Sequence, residues 1–69
     1  MFMVKMQDIP EIVIYNFDRY CGRYDFAVSP IQYDNNMTEI LKQYNAIQNM
    51  DTIFFESDEY YTWFLMRFS

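Results

Sequence analysis

At 69 residues the chain has room for one hydrophobic core, residues 1–69, and for no second domain. It contains no histidine, one cysteine (Cys21) and one glycine (Gly22), so nucleophilic triads, phosphate-cradling loops and most metal sites lack their ordinary residues. Ten acids against five bases give a net charge of −5, and no basic stripe is available for direct binding of nucleic acid.

Taken in chain order, residues 1–7 alternate Phe2, Val4 and Met6 against Met1, Met3 and Lys5, a pattern that fits a short edge strand and a frayed start equally. Pro10 then holds Ile9 extended and interrupts any ladder. From Glu11 to Ser29 a period of two is read: Val13, Tyr15 and Phe17 before Gly22, and Tyr24, Phe26 and Val28 after it. This predicts a hairpin with a two-residue loop at Cys21 and Gly22 or a four-residue loop from Tyr20 to Arg23, either of which sets Phe17 opposite Phe26 and Asp18 opposite Asp25. A helix follows, with Asn36 and Glu39 at capping-box spacing and Met37, Ile40, Leu41, Tyr44, Ile47 and Met50 on one face. Asn49 is placed in the left-handed region that ends it. The final segment reads as a second hairpin, Thr52–Glu56 and Tyr60–Phe68 around a polar turn, because Tyr, Thr, Trp and Phe favour strands. The competing reading of 58–68 is a helix capped by Ser57 with Tyr60, Tyr61, Phe64, Leu65 and Phe68 on one side. The preferred fold is α+β: an antiparallel sheet of about four strands, ββαββ, with one helix packed on one face.

Fifteen aromatic side chains exceed what one helix on one small sheet can cover. The uncovered sheet face is therefore expected to carry Ile12, Ile14, one of Phe54 and Phe55, and one of two rows of the last strand, either Tyr61, Trp63 and Leu65 or Tyr60, Phe64, Met66 and Phe68. Such a patch is larger than soluble monomers ordinarily expose and marks an interface, either with a target or with a second copy in a homodimer.

No catalytic residue, metal ligand or cofactor site is assigned. Cys21, flanked by Arg19 and Arg23, is read as a small turn residue rather than a reactive thiol. Two surfaces are candidates for partner binding. Residues 18–25 set Arg19, Tyr20 and Arg23 around one turn, and Arg and Tyr are the side chains enriched at interface hot spots. Glu56, Asp58 and Glu59, next to Tyr61, form an acidic turn whose carboxylates stand where phosphates would in a nucleic-acid mimic. No signal peptide or membrane span is read, since Lys5 interrupts the apolar N-terminus, and the lone cysteine fits a reducing cytoplasm.

Codon arithmetic points to a low-GC origin: Phe, Tyr, Met, Ile, Asn and Lys supply 34 residues, and Gly, Ala, Arg and Pro only 8. An acidic, small α+β chain with surplus aromatics resembles the bacteriophage proteins that disable host defences, anti-CRISPR proteins among them. The resemblance is one of type and carries over no site residue. It implies a non-enzymatic inhibitor that binds a host protein or nucleoprotein complex, whereas the alternative is a small structural or regulatory homodimer.

Overall fold

The computed structural model describes all 69 residues and is α+β, with a three-stranded antiparallel sheet and three helices. Strand β1 (Phe2–Lys5) leads through a 3-10 turn (Met6–Asp8) into helix α1 (Glu11–Cys21). Helix α2 (Pro30–Lys42), strands β2 (Ala46–Asn49) and β3 (Thr52–Phe55), and helix α3 (Asp58–Phe68) follow. The sheet order is β1-β3-β2, so β3 is central and both neighbours are edges.

The expected first hairpin is a helix. Val13, Phe17 and Cys21 are buried at i, i+4 and i+8, which is one helical face, while Tyr15 of the alternating set is exposed. The period-two pattern thus arises because Val13 and Phe17 are one helical turn apart on the buried face and the exposed Tyr15 falls midway between them in sequence. Gly22 is a helix stop, not a hairpin turn. At φ 96° it donates its N–H to the Arg19 carbonyl, and Arg23 N–H reaches the Asp18 carbonyl. Asp18 and Asp25 accordingly do not face each other across a ladder.

Helix α2 starts seven residues earlier than the capping-box reading placed it, because Ser29 accepts the Gln32 N–H at 3.2 Å and Pro30 occupies the first helical turn. Asn36 lies inside the helix and donates to the Cys21 carbonyl at 3.0 Å. The chain leaves α2 after Lys42 and turns through Asn45 at φ 47°, so Ile47 and Met50 belong to a β2–β3 hairpin rather than to a helix face. Residues 58–68 form the helix that competed with strand. Phe64 and Phe68, four apart, are buried, and Tyr60, Tyr61 and Leu65 are half-buried beside them. The four-strand ββαββ order is therefore replaced by βααββα.

The core is one cluster of thirteen side chains. Its centre is aromatic: Phe64 meets Phe17, Tyr44, Phe55 and Phe68 with ring centroids 5.1–5.7 Å apart. Val4, Ile53, Phe55 and Ala46 point into this cluster from the sheet. The open face carries Met3, Phe54 and Ile47 in one cross-strand row and Lys5, Thr52 and Asn49 in the next. That replaces the expected face of Ile12, Ile14, Tyr61, Trp63 and Leu65, all of which lie on helices.

Candidate functional site

Helices α1 and α3 run side by side in the same direction, Tyr61 lying near Asp8 at one end and Phe68 against Asn16, Phe17 and Tyr20 at the other. Their C-terminal ends converge because Phe68 is buried among these residues and Asn16 Nδ2 donates to the Phe68 carbonyl at 2.8 Å. The last turns bring Arg19 and Tyr20 from α1 together with Arg67 from α3. A cleft of about 380 Å³ results, lined by Asn16, Arg19, Tyr20, Arg67 and Phe68, with no carboxylate among them.

Arg67 is held in place. Its Nη1 donates to Gln43 Oε1 at 2.8 Å and to Tyr44 Oη at 3.2 Å, and its guanidinium carbon sits 4.9 Å from the Tyr20 ring centroid. Donation to the Tyr44 hydroxyl raises its pKa further, so it is a permanent cation. Arg19 has no ion pair. Both arginines stand at helix C-termini, where the macrodipole favours positive charge, which gives them a structural reason to be there. A guanidinium stacked on an exposed tyrosine also remains free to bind a carboxylate in fork geometry, and it is among the more weakly hydrated cations.

The remaining sequence-predicted residues are dispersed. Arg23 lies in the loop after α1 and pairs with Asp18 at 3.0 Å, which raises its pKa and separates it from Arg19 in role. Glu56 accepts a hydrogen bond from Asn45 Nδ2 at 2.7 Å, and Asp58 and Glu59 occupy the exposed first turn of α3, where the N-terminal dipole favours them. Tyr61 is half-buried between Phe2 and Phe55, and burial, with Asp8 nearby, pushes its phenol pKa up. Trp63 is 47% exposed on α3 and meets the Tyr60 ring edge-on. Arg67, which completes the cleft, was not among the candidates. Its signal was position: the helical reading of 58–68 puts it in the last turn beside Phe68.

Cys21 is fully buried, and burial, reinforced by Asp18, pushes its thiol up to about 11, so it is protonated at neutral pH. Asp18 is the one buried charged residue. It accepts from the Tyr33 hydroxyl at 2.6 Å on one oxygen and from Arg23 on the other. This triad ties α1 to α2 rather than forming an accessible reactive centre.

No protein-family model, curated protein sequence or solved structure matches the chain. No helix is long and apolar enough to cross a membrane.

Proposed function

We propose that this chain is a non-enzymatic protein-binding module that docks Arg19, Tyr20 and Arg67 onto a carboxylate-bearing surface of its partner. The observation that carries this reading is the cleft itself. In a protein of net charge −5, two arginines without carboxylate partners flank an exposed tyrosine, whereas Arg23 and Lys42 are already paired with Asp18 and Glu39. Large area, fixed geometry and unspent hydrogen-bonding capacity are the properties of interface hot spots. The resemblance to small phage anti-defence proteins makes the partner a host protein or nucleoprotein complex and the outcome stoichiometric inhibition, with no direct contact to nucleic acid or membrane.

The test is quantitative capture of the partner from a bacterial host lysate, followed by titration with the purified partner. Arg67→Ala and Arg19→Ala should each weaken binding by at least about 10-fold, the effect expected of hot-spot side chains. Charge reversal at Glu56, Asp58 and Glu59 should leave it within a few-fold. The opposite pattern would transfer the interface to the acidic turn and favour nucleic-acid mimicry.

A further inference from the structure

The backbone of β2 has an unpaired side whose pattern follows from one hydrogen bond and the strand register. Glu56 N–H donates to the Asn45 carbonyl at 3.1 Å, which makes Asn45 and Glu56 a hydrogen-bonded pair in the β2–β3 register. In an antiparallel ladder bonded and non-bonded pairs alternate, so Ile47–Phe54 and Asn49–Thr52 are the next bonded pairs. The N–H and C=O groups of Ala46 and Gln48 therefore point away from β3, toward the free edge.

That free edge is self-complementary. A twofold axis through Ile47 sets Ala46 of one copy opposite Gln48 of the other, and the two pairs exchange four backbone hydrogen bonds. Ile47 then faces Ile47 in the close, non-bonded position, on the open face of the sheet where it is 61% exposed. The apolar row Met3, Phe54, Ile47 continues across the axis into the same row of the second copy.

Charge separates this edge from the rest of the surface. Edge strands are ordinarily protected by lysine, proline or a bulge. Strand β1 carries Lys5, but residues 43–50 contain no charged residue and no proline. For two copies of net charge −5, a neutral edge avoids the like-charge repulsion that other approaches meet. Beside it runs a groove of about 280 Å³ lined by Met37, Leu41, Ala46, Ile47 and Met50, where Lys42 is already paired with Glu39 at 3.4 Å. A strand added at β2 covers the mouth of this groove.

We propose that β2 is the interface of a twofold homodimer, pairing antiparallel with the β2 of a second copy about Ile47 to build a six-stranded sheet. This is independent of the arginine cleft, with which the groove shares no residue. Light scattering of the full chain at high micromolar concentration should return twice 8.6 kDa. Ile47→Lys, which sets two ammonium groups face to face, should return the single-chain mass with an unchanged far-ultraviolet spectrum. Ile47→Cys should crosslink into a covalent dimer under mild oxidation, whereas Asn49→Cys, whose counterpart across the axis is Asn45, should not. Cys21 is buried and does not interfere. The crosslink also reads the register should Ile47→Lys disturb folding. A monomeric wild type overturns the proposal and leaves the edge to an extended segment of another protein. A dimer that survives Ile47→Lys, or that crosslinks equally at positions 47 and 49, places the interface elsewhere and overturns it as well.

Discussion

Removing the Tyr33 hydroxyl isolates what holds the one buried charge. Asp18 is 3% exposed and its carboxylate has two protein partners, Tyr33 at 2.6 Å and Arg23 at 3.0 Å. The first distance lies in the range of a charge-assisted O–H···O⁻ bond, for which a loss of about 1.5–3 kcal/mol is typical. The second bond comes from a side chain that is 59% exposed, so water replaces it readily and Arg23→Ala should cost no more than about 1 kcal/mol. Tyr33→Phe preserves the ring and its packing and should therefore destabilise by roughly twice as much as Arg23→Ala. In urea unfolding followed by circular dichroism, a chain this small has an m value near 1 kcal/mol/M. The Tyr33→Phe midpoint should then fall by about 2 M. In an Asp18→Asn background the same substitution should cost about 1 kcal/mol or less, the difference measuring the charge-dependent part of the bond. Equal costs in the two backgrounds, or a larger effect from Arg23→Ala, would refute the reasoning, since either would mean that Asp18 is not held as a buried carboxylate by Tyr33.

Alkaline pH should weaken the fold through Cys21 and Tyr33, both of which are held protonated by burial, with Asp18 acting in the same direction. For Cys21 the folded state keeps its proton to about 11 against an ordinary 9.0, so stability is unaffected below pH 9 and declines as pH rises from 9 toward 11, by on the order of 2 kcal/mol; Cys21→Ala should flatten the decline between pH 9 and 10 in thermal melts. Gly22→Ala should cost about 1–3 kcal/mol, because φ is 96° and a Cβ there stands 2.8 Å from Val28 Cγ2; combining it with Val28→Ala should recover only the steric part, measured as a partial return of the urea midpoint.

The elements legible in the sequence were those with one available pattern. The segment of β3 reads as a strand, with Ile53 and Phe55 buried and Thr52 and Phe54 half-buried, and β1 takes the edge-strand alternative for residues 1–7, with Val4 buried between exposed Met3 and Lys5. The centre of α2 was legible through Met37, Ile40 and Leu41, but its ends were not. Ser29–Pro30 is the stronger start, and Asn45, not Asn49, takes the left-handed turn. The structure departs furthest from its local sequence pattern in α1, whose aromatic and β-branched residues favour strand locally. What decides between the two is the burial of Val13, Phe17 and Cys21 against Phe64 and Phe68, which lie some fifty residues away and themselves read ambiguously. Tertiary burial overrode local preference at both helices together. For the same reason half of the candidate site was visible: Arg19 and Tyr20 are neighbours in sequence, whereas Arg67 joins them only once 58–68 is helical.

Moving the aromatic surplus from the sheet to the helices changes what the surface can do. Phe17, Tyr44, Phe55, Phe64 and Phe68 fill the core, while Tyr15, Tyr20, Tyr24, Phe26 and Trp63 are exposed on or beside helices. Tyr15 and Tyr24 meet with tilted rings 5.4 Å apart, and Tyr20 takes the Arg67 guanidinium, so three of these exposed rings already have partners within the chain. The homodimer proposed above draws instead on backbone hydrogen bonds and the narrow apolar row of Met3, Phe54 and Ile47 at the β2 edge. A dimer formed there carries two arginine clefts built from α1 and α3, neither of which forms the paired edge. Two identical clefts on one rigid sheet bind a partner with repeated or symmetric acidic sites far more tightly than one, because the second contact is intramolecular. Ile47→Lys should consequently lower the apparent affinity for such a partner while leaving the affinity of a single cleft unchanged, a separation that links the oligomeric state to binding without making either depend on the other.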